Sequence, residues 1–356
     1  MSWSDIEGHD RVVGQFRSAL RRGRLFGSYL FVGPAGIGKH TFAVKLAQAL
    51  LCQTRAEEDL DPCGGCPACA QVAARSHPDL VTVARPADKA TIPLELLIGD
   101  KEHRMRDGLC HDIALTPFMG KRKVAIIDDA DYLNIEGANS LLKTLEEPPP
   151  RSVLILVGTT PAKQLPTIRS RCQIVRFAPL GEEALVRLLV RTGLDAAEAS
   201  RLARDAGGSL QRAAQMRDAS LWEFRSHLFA SLCGPLVESP RLAAAVQSLV
   251  EAAGREAPPR RARLHQVIDM AVDFYRHLLR VLSAGQARAD EELARYVAEA
   301  AEAVPGGVEA AAACIDLCLE AGEAIDRFAH QVNLIEYWTD GLAEIYRLGR
   351  APLRAS

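Results

Sequence analysis

Five short apolar runs punctuate the first half of the chain, at residues 29–32, 80–84, 124–127, 153–157 and 174–177. Each is rich in Val, Ile, Leu or Phe and shows little polar alternation. Such runs predict strands of a parallel sheet with both faces covered. Between them the apolar period lengthens to that of a helix: 41–51 follows the first run and 135–145 the third. Strands alternating with helices predict an α/β domain. Near Pro179 the pattern changes, and from Gly181 onward no run reads as a strand. Residues 182–192, 196–206 and 210–216 predict short helices separated by glycines. Beyond about Ser220 the helices lengthen. Leu264, Val267, Ile268, Ala271, Val272, Tyr275, Leu278, Leu279 and Leu282 share one helical face. Residues 306–321 and 325–346 continue that theme, with 256–259 and 283–289 as connections. The expected boundaries are 1–179 for the α/β domain, 180–219 for a small helical domain and 220–356 for an all-α domain.

Composition narrows the partners. The chain has 356 residues, 48% hydrophobic and 25% charged, enough for two or three domains with real cores. A net charge of −2 carries no global basic excess, so any contact with DNA would be local or shared. The most apolar stretch, 152–160, is too short to cross a bilayer. Residues 1–5 lack the basic start and apolar run of a signal peptide. A soluble, cytoplasmic protein without a membrane partner is expected. Nine cysteines suit a reducing compartment, where a cluster reads first as a metal site.

Residues 31–41 leave the first strand and enter a helix through Gly33, Gly36, Gly38 and Lys39. The glycines let backbone N–H groups curl around a phosphate chain, the helix start favours negative charge, and Lys39 reaches the outer phosphates. Ser or Thr usually follows that lysine and holds Mg²⁺. Here His40 stands there and Thr41 comes one residue later. Imidazole is a poor Mg²⁺ ligand, and Thr41 is rotated by about 100° around the helix. Nucleotide binding with ATP and Mg²⁺ is thus expected to be impaired at the metal. The strand at 124–127 ends in Asp128 and Asp129. Asp128 fits the second Mg²⁺ position. Asp129 stands where active phosphate-loop ATPases carry glutamate, and displacing a catalytic group by about 1 Å costs roughly 100-fold in rate. The alternative for Asp129 is an ordinary acidic turn.

Cys52, Cys63, Cys66 and Cys69 are spaced C-x10-C-x2-C-x2-C. Four thiolates suit tetrahedral Zn²⁺ and leave no open position, so the zinc would be structural. Disulfides are the alternative. Cys110, Cys233, Cys314 and Cys318 read as buried small hydrophobes, although the spacing of Cys314 and Cys318 could make a second metal edge.

A zinc module inserted after a phosphate-loop helix resembles the bacterial clamp-loader subunits of DNA polymerase III, both the motor called gamma or tau and delta-prime. Residues 139–149, Asn-Ser-Leu-Leu-Lys-Thr-Leu-Glu-Glu-Pro-Pro, and the Ser170-Arg171-Cys172 motif make the likeness specific over residues 1 to about 220. The resemblance implies an AAA+ module with the zinc insert near 52–76, a helical lid, and a C-terminal collar that joins five subunits. It implies that Arg171 is an arginine finger acting in trans, worth roughly 10³–10⁵ in rate when supplied to a GTPase. Taken without the motif, Arg171 would simply pair with a surface carboxylate. Thr159 or Thr160 resembles the residue that senses the terminal phosphate. A lid arginine is expected after Gly-Ser, but Gln211 occupies its place and Arg212 comes one step later.

Drift at His40, Asp129 and Gln211, with Arg171 intact, implies a delta-prime-like stator with weak or absent ATPase activity of its own. It would partner gamma/tau and delta subunits in a hetero-pentamer, with the sliding clamp and primer–template DNA reached through the complex. The motor role is the alternative. A stand-alone nucleotide kinase and a sequence-specific zinc DNA-binding protein are alternatives of other classes, disfavoured by the zinc module with its finger motif and by the acids around the cysteines. Lys121, Arg122 and Lys123 read as the solvated start of a core strand.

Overall fold

A computed structural model describes residue 3 and residues 6–119, 121–285 and 291–349. The chain divides into two compact units, Met1–Ala213 and Ala214–Ser356.

The first unit is built on five strands: β1 (Ser28–Val32), β2 (Leu80–Val83), β3 (Lys123–Ile127), β4 (Ser152–Val157) and β5 (Gln173–Arg176). All pair in parallel, in the order β2-β3-β4-β1-β5. Tyr29 of β1 lies between Ile155 of β4 and Gln173 of β5. The α/β expectation therefore holds. The three inner strands are buried along their whole length, whereas β2 and β5 are partly exposed because each is an edge.

Helices α1 (Asp10–Arg21), α2 (Lys39–Leu51), α3 (Pro67–Ala73), α4 (Leu94–Ile98), α5 (Leu109–Ala114), α6 (Ile135–Glu146) and α7 (Pro166–Arg169) connect and cover the strands. Phe16 of α1, Tyr29 and Phe31 of β1, Phe42 of α2 and Phe177 form one aromatic cluster with ring centroids 5.0–6.3 Å apart. The apolar runs did not reveal α1. Its Val12, Val13, Phe16 and Leu20 are spaced for one buried helical face, and that spacing is the signal that could have found it. Helices α8 (Glu182–Arg191), α9 (Ala196–Asp205) and α10 (Leu210–Gln215) follow, with the unit boundary inside α10.

The second unit comprises α11 (Ala219–Leu232), α12 (Ser239–Ala252), α13 (Ala257–Ala284), α14 (Glu291–Ala303), α15 (Gly307–Asp326) and α16 (Gln331–Leu348). Its core holds Phe229, Phe274, Tyr275, Trp338 and Tyr346. Three expectations need correction. Residues 257–259 are the first turn of α13, where prolines lack only an N–H that the helix does not use. Ser283 and Ala284 close the same helix, and residues 286–289 of that expected connection lie outside the described residues. Ile325 lies in the last turn of α15, which ends at Asp326, and the break to α16 falls at Arg327–His330, with Phe328 at a φ of 62°. Among the described residues no helix is long and apolar enough to cross a membrane. Of residues 1–5, only Trp3 is described.

Candidate functional site

The phosphate loop runs from the end of β1 into α2. Gly36 and Gly38 adopt φ angles of 72° and 91°, a region that L side chains rarely enter. Gly38 is the residue from which α2 starts. Lys39 is buried, and its Nζ donates to the carbonyls of Gly33 at 2.7 Å and Pro34 at 2.5 Å. Burial pulls its pKa down, against the attraction of Asp131 and Asp128.

His40 lies against the carboxylate expected to hold Mg²⁺: its Nδ1 is 2.9 Å from Asp128 Oδ2. No ring N–H is aligned on that oxygen, and the contact is an ion pair only while the ring is protonated. Burial raises the Asp128 carboxyl, but His40 and the Asp129 amide outweigh it and the net shift is downward. Thr41 is exposed. Asp129 sits at a φ of 53° and its carboxyl is raised by burial and by Asp128 beside it.

Asp131 is the acid that sequence reasoning missed. Its Oδ2 accepts from the Thr159 N–H at 2.9 Å and the Thr159 hydroxyl at 2.5 Å, and its Oδ1 accepts from Gln164 Nε2 at 2.9 Å. The hydroxyl of Thr159 is thus directed at Asp131, while Thr159 O accepts from Gly33 N at 3.0 Å. Asp131 couples the ends of β3 and β4 to the loop. The only hint in the sequence was a third acid after an apolar strand.

The segment before α10 is seated on the loop. Leu210 N donates to Gly36 O at 3.0 Å, and the Ser209 hydroxyl to Ala35 O at 3.0 Å. A Cβ at Gly36 would lie 2.4 Å from the Gln211 Cβ. Gln211, in the place of the expected lid arginine, therefore sits directly over the loop. Arg171 lies at the end of α7 and is held within its own chain. Its Nε and Nη2 both donate to Glu146 Oε2 at 3.2 Å, and its Nη1 to Thr167 O at 3.2 Å. Pairing with a surface carboxylate, the alternative to a finger, is what this structure contains.

The cysteine cluster forms at the other end of α2. The sulfurs of Cys52, Cys63, Cys66 and Cys69 all lie within 4.8 Å of one another, with 4.0 Å from Cys52 to Cys66 and 3.9 Å from Cys63 to Cys69. A tetrahedral Zn²⁺ with bonds of about 2.3 Å places its sulfurs about 3.8 Å apart, so the four thiols fit the metal. Amide N–H groups of Cys66 and Cys69 point at the sulfurs of Cys63 and Cys66. The Cys63 thiol is drawn down to about 5 by hydrogen bonds, first from Thr54 and then from the Gly65 and Cys66 amides. Cys110, Cys233, Cys314 and Cys318 are all buried, and the Trp338 indole donates to Cys318 Sγ at 3.3 Å, which suits core packing rather than a second metal edge.

The basic run 121–123 does more than solvate a strand. Lys121 Nζ donates to the Cys52 carbonyl, and Arg122 makes a two-pronged pair with Glu57 at 2.6 and 2.8 Å. Lys123 is buried 3.6 Å from the fully buried Asp79, which also accepts from the amides of Phe118 and Met119 at 2.7 Å. These cations fasten the cysteine lobe and the start of β3.

A family model described as DNA polymerase III, delta subunit, matches residues 8–181. The chain is 39% identical to the Pseudomonas aeruginosa DNA polymerase III subunit delta' over 165 residues, 46% of this chain and 47% of that one. It is 32% identical to the Bacillus subtilis subunit delta' over 191 residues, 53% and 54% of the two chains. Over residues 8–181, just under half of its length, this chain matches the DNA polymerase III clamp-loader family. A likeness to the Escherichia coli DNA polymerase III subunit tau, 30% over 263 residues, covers 71% of this chain and 39% of tau. The chain thus spans about half the length of the delta' relatives it matches. The loop, the acids after β3 and the cysteine cluster all lie inside the stretch matched by the clamp-loader model.

Proposed function

We propose that this clamp-loader subunit is of the delta-prime type: a stator that does not turn over ATP itself and lends Arg171 to a neighbouring ATPase subunit. The observation that carries this reading is His40 lying on Asp128. The carboxylate that would serve Mg²⁺ already faces a cation-capable ring, and the hydroxyl that would share the metal is replaced by that ring. The phosphate cradle remains, so loss falls on hydrolysis more than on the loop's form. Gln211 in place of the lid arginine points the same way.

Arg171 can leave Glu146 at little cost. Glu146 is 60% exposed and Arg171 30%, and exposed ion pairs contribute roughly 0–1 kcal/mol. A neighbour's nucleotide phosphates offer a denser negative charge. In this reading the assembly contains gamma/tau and delta subunits, opens the sliding clamp and places it on primer–template DNA in the cytoplasm. Residues 180–219 act as lid and 220–356 as collar. Cys52, Cys63, Cys66 and Cys69 hold a structural zinc, which cross-links the loop after α2.

The test is reconstitution with gamma/tau and delta. The isolated chain is expected to show no Mg²⁺-dependent ATP turnover. Arg171→Ala is expected to lower the ATPase of the whole complex by an order of magnitude or more while leaving assembly intact. Turnover by the isolated chain, or full activity of the Arg171→Ala complex, would defeat the stator reading.

A further inference from the structure

Between α1 and the edge strand β5 lies a groove of about 460 Å³ that the nucleotide site does not use. Val12, Phe16, Tyr29 and Val175 give it an uncharged, largely apolar floor, Gln15 and Gln173 add polar groups to the lining, and Arg11 and Arg176 stand on its rim. Phe26, 58% exposed, closes one end, with its backbone N–H donating to the Tyr29 hydroxyl at 3.0 Å. Two further properties define what it could take. First, β5 pairs with β1 on one side only. Phe177 N–H donates to Val32 O at 2.8 Å, so alternation along the strand turns the backbone groups of Ile174 and Arg176 toward the free edge. Second, Arg11 and Arg176 are exposed and have no ion-pair partner among the described residues. Arg21, Arg22 and Arg24, also exposed, extend the positive charge toward Phe26.

We propose that this groove receives an extended peptide segment of a partner protein, apolar at alternate positions and flanked by acidic residues, added as a strand alongside β5. The free edge supplies main-chain hydrogen bonds. The floor takes every second side chain, and the arginines select for acids. A nucleic-acid strand fits less well, because its backbone presents a charge at every step to a floor that has none. His40, Asp128 and Arg171 do not line the groove, so the inference stands whether the subunit is stator or motor.

The test uses the full chain and a fluorescein-labelled synthetic peptide in which leucine and phenylalanine alternate with glutamate. A reordered peptide of the same composition, with its glutamates gathered at one end, serves as control, and a single-stranded oligonucleotide as competitor. Anisotropy is expected to show saturable binding of the alternating peptide that weakens with salt. Hydrogen exchange is expected to slow at the amides of Ile174 and Arg176. Arg11→Glu combined with Arg176→Glu is expected to weaken binding on the order of tenfold or more. Arg176→Pro, at an exposed position whose N–H β1 does not use, is expected to weaken it while thermal melting stays close to that of the parent. Equal binding of the reordered peptide, ready displacement by the oligonucleotide, or unchanged exchange at Ile174 and Arg176 would overturn the proposal.

Discussion

Helix α2 carries a candidate site at each end, and the two ends differ in completeness. At its C-terminal end, Cys52 meets three cysteines that arrive within one short loop and α3, and their sulfurs already stand at metal-binding separations. At its N-terminal end the phosphate cradle is formed, but His40 faces Asp128 and the Thr159 hydroxyl faces Asp131. A site built from neighbouring residues needs only the right types at the right spacing. A nucleotide site draws on the loop, the acids after β3, the end of β4 and the segment before α10, so a change in any one of them alters the chemistry while the fold persists.

The largest effect should come from the complete end. Cys66→Ser is expected to abolish one equivalent of bound zinc, read by elemental analysis, and to lower the melting temperature by more than about 5 °C. A chain that contains no zinc as purified, and melts unchanged after the substitution, would break the comparison. Asp131→Ala tests how firmly the other end is built. Losing the acceptor of three hydrogen bonds is expected to cost about 2–3 kcal/mol in urea unfolding. A third experiment asks whether the altered end can be restored. His40→Ser, Asp129→Glu and Gln211→Arg together are expected to make Mg²⁺-ATP binding at least about tenfold tighter by calorimetry, about 1.4 kcal/mol. No gain would place the obstacle in the seating of the 209–211 segment on Gly36 rather than in the three side chains.

The smallest effect concerns the fastening of the cysteine lobe. The hydrogen bond from Arg122 is the main reason that the Glu57 carboxyl lies below its ordinary 4.5. A lowered folded pKa means that this contribution is fully present above about pH 4.5 and is lost as pH falls through the lowered value. Glu57→Gln should therefore cost about 1 kcal/mol or less near pH 7 and progressively less at acid pH, measured by urea unfolding across that range.

Much of this architecture was legible from local patterns. The strands appear as apolar runs because burial on both faces demands it, and the phosphate loop and the cysteine spacing are short-range signatures. Helix α1 was overlooked although its apolar spacing was readable, and residues 257–259 were read as a connection although they form a first helical turn, where prolines are tolerated. The basic run 121–123 was misjudged because its partners, Glu57, Asp79 and the Cys52 carbonyl, are distant in sequence.

The amino-acid sequence by itself determined the strands, the cradle for phosphate and the four-thiol knuckle, since each depends on spacing within one short stretch of chain. Only the tertiary structure decided what those parts face. The sheet order brings β4 beside β1 and the end of β3 near both, which sets Asp131 on Thr159 and His40 on Asp128. Likewise the fold alone placed Glu146 against Arg171 and left β5 with an open edge. Contacts between residues far apart along the chain follow from packing and strand adjacency, which no local period encodes.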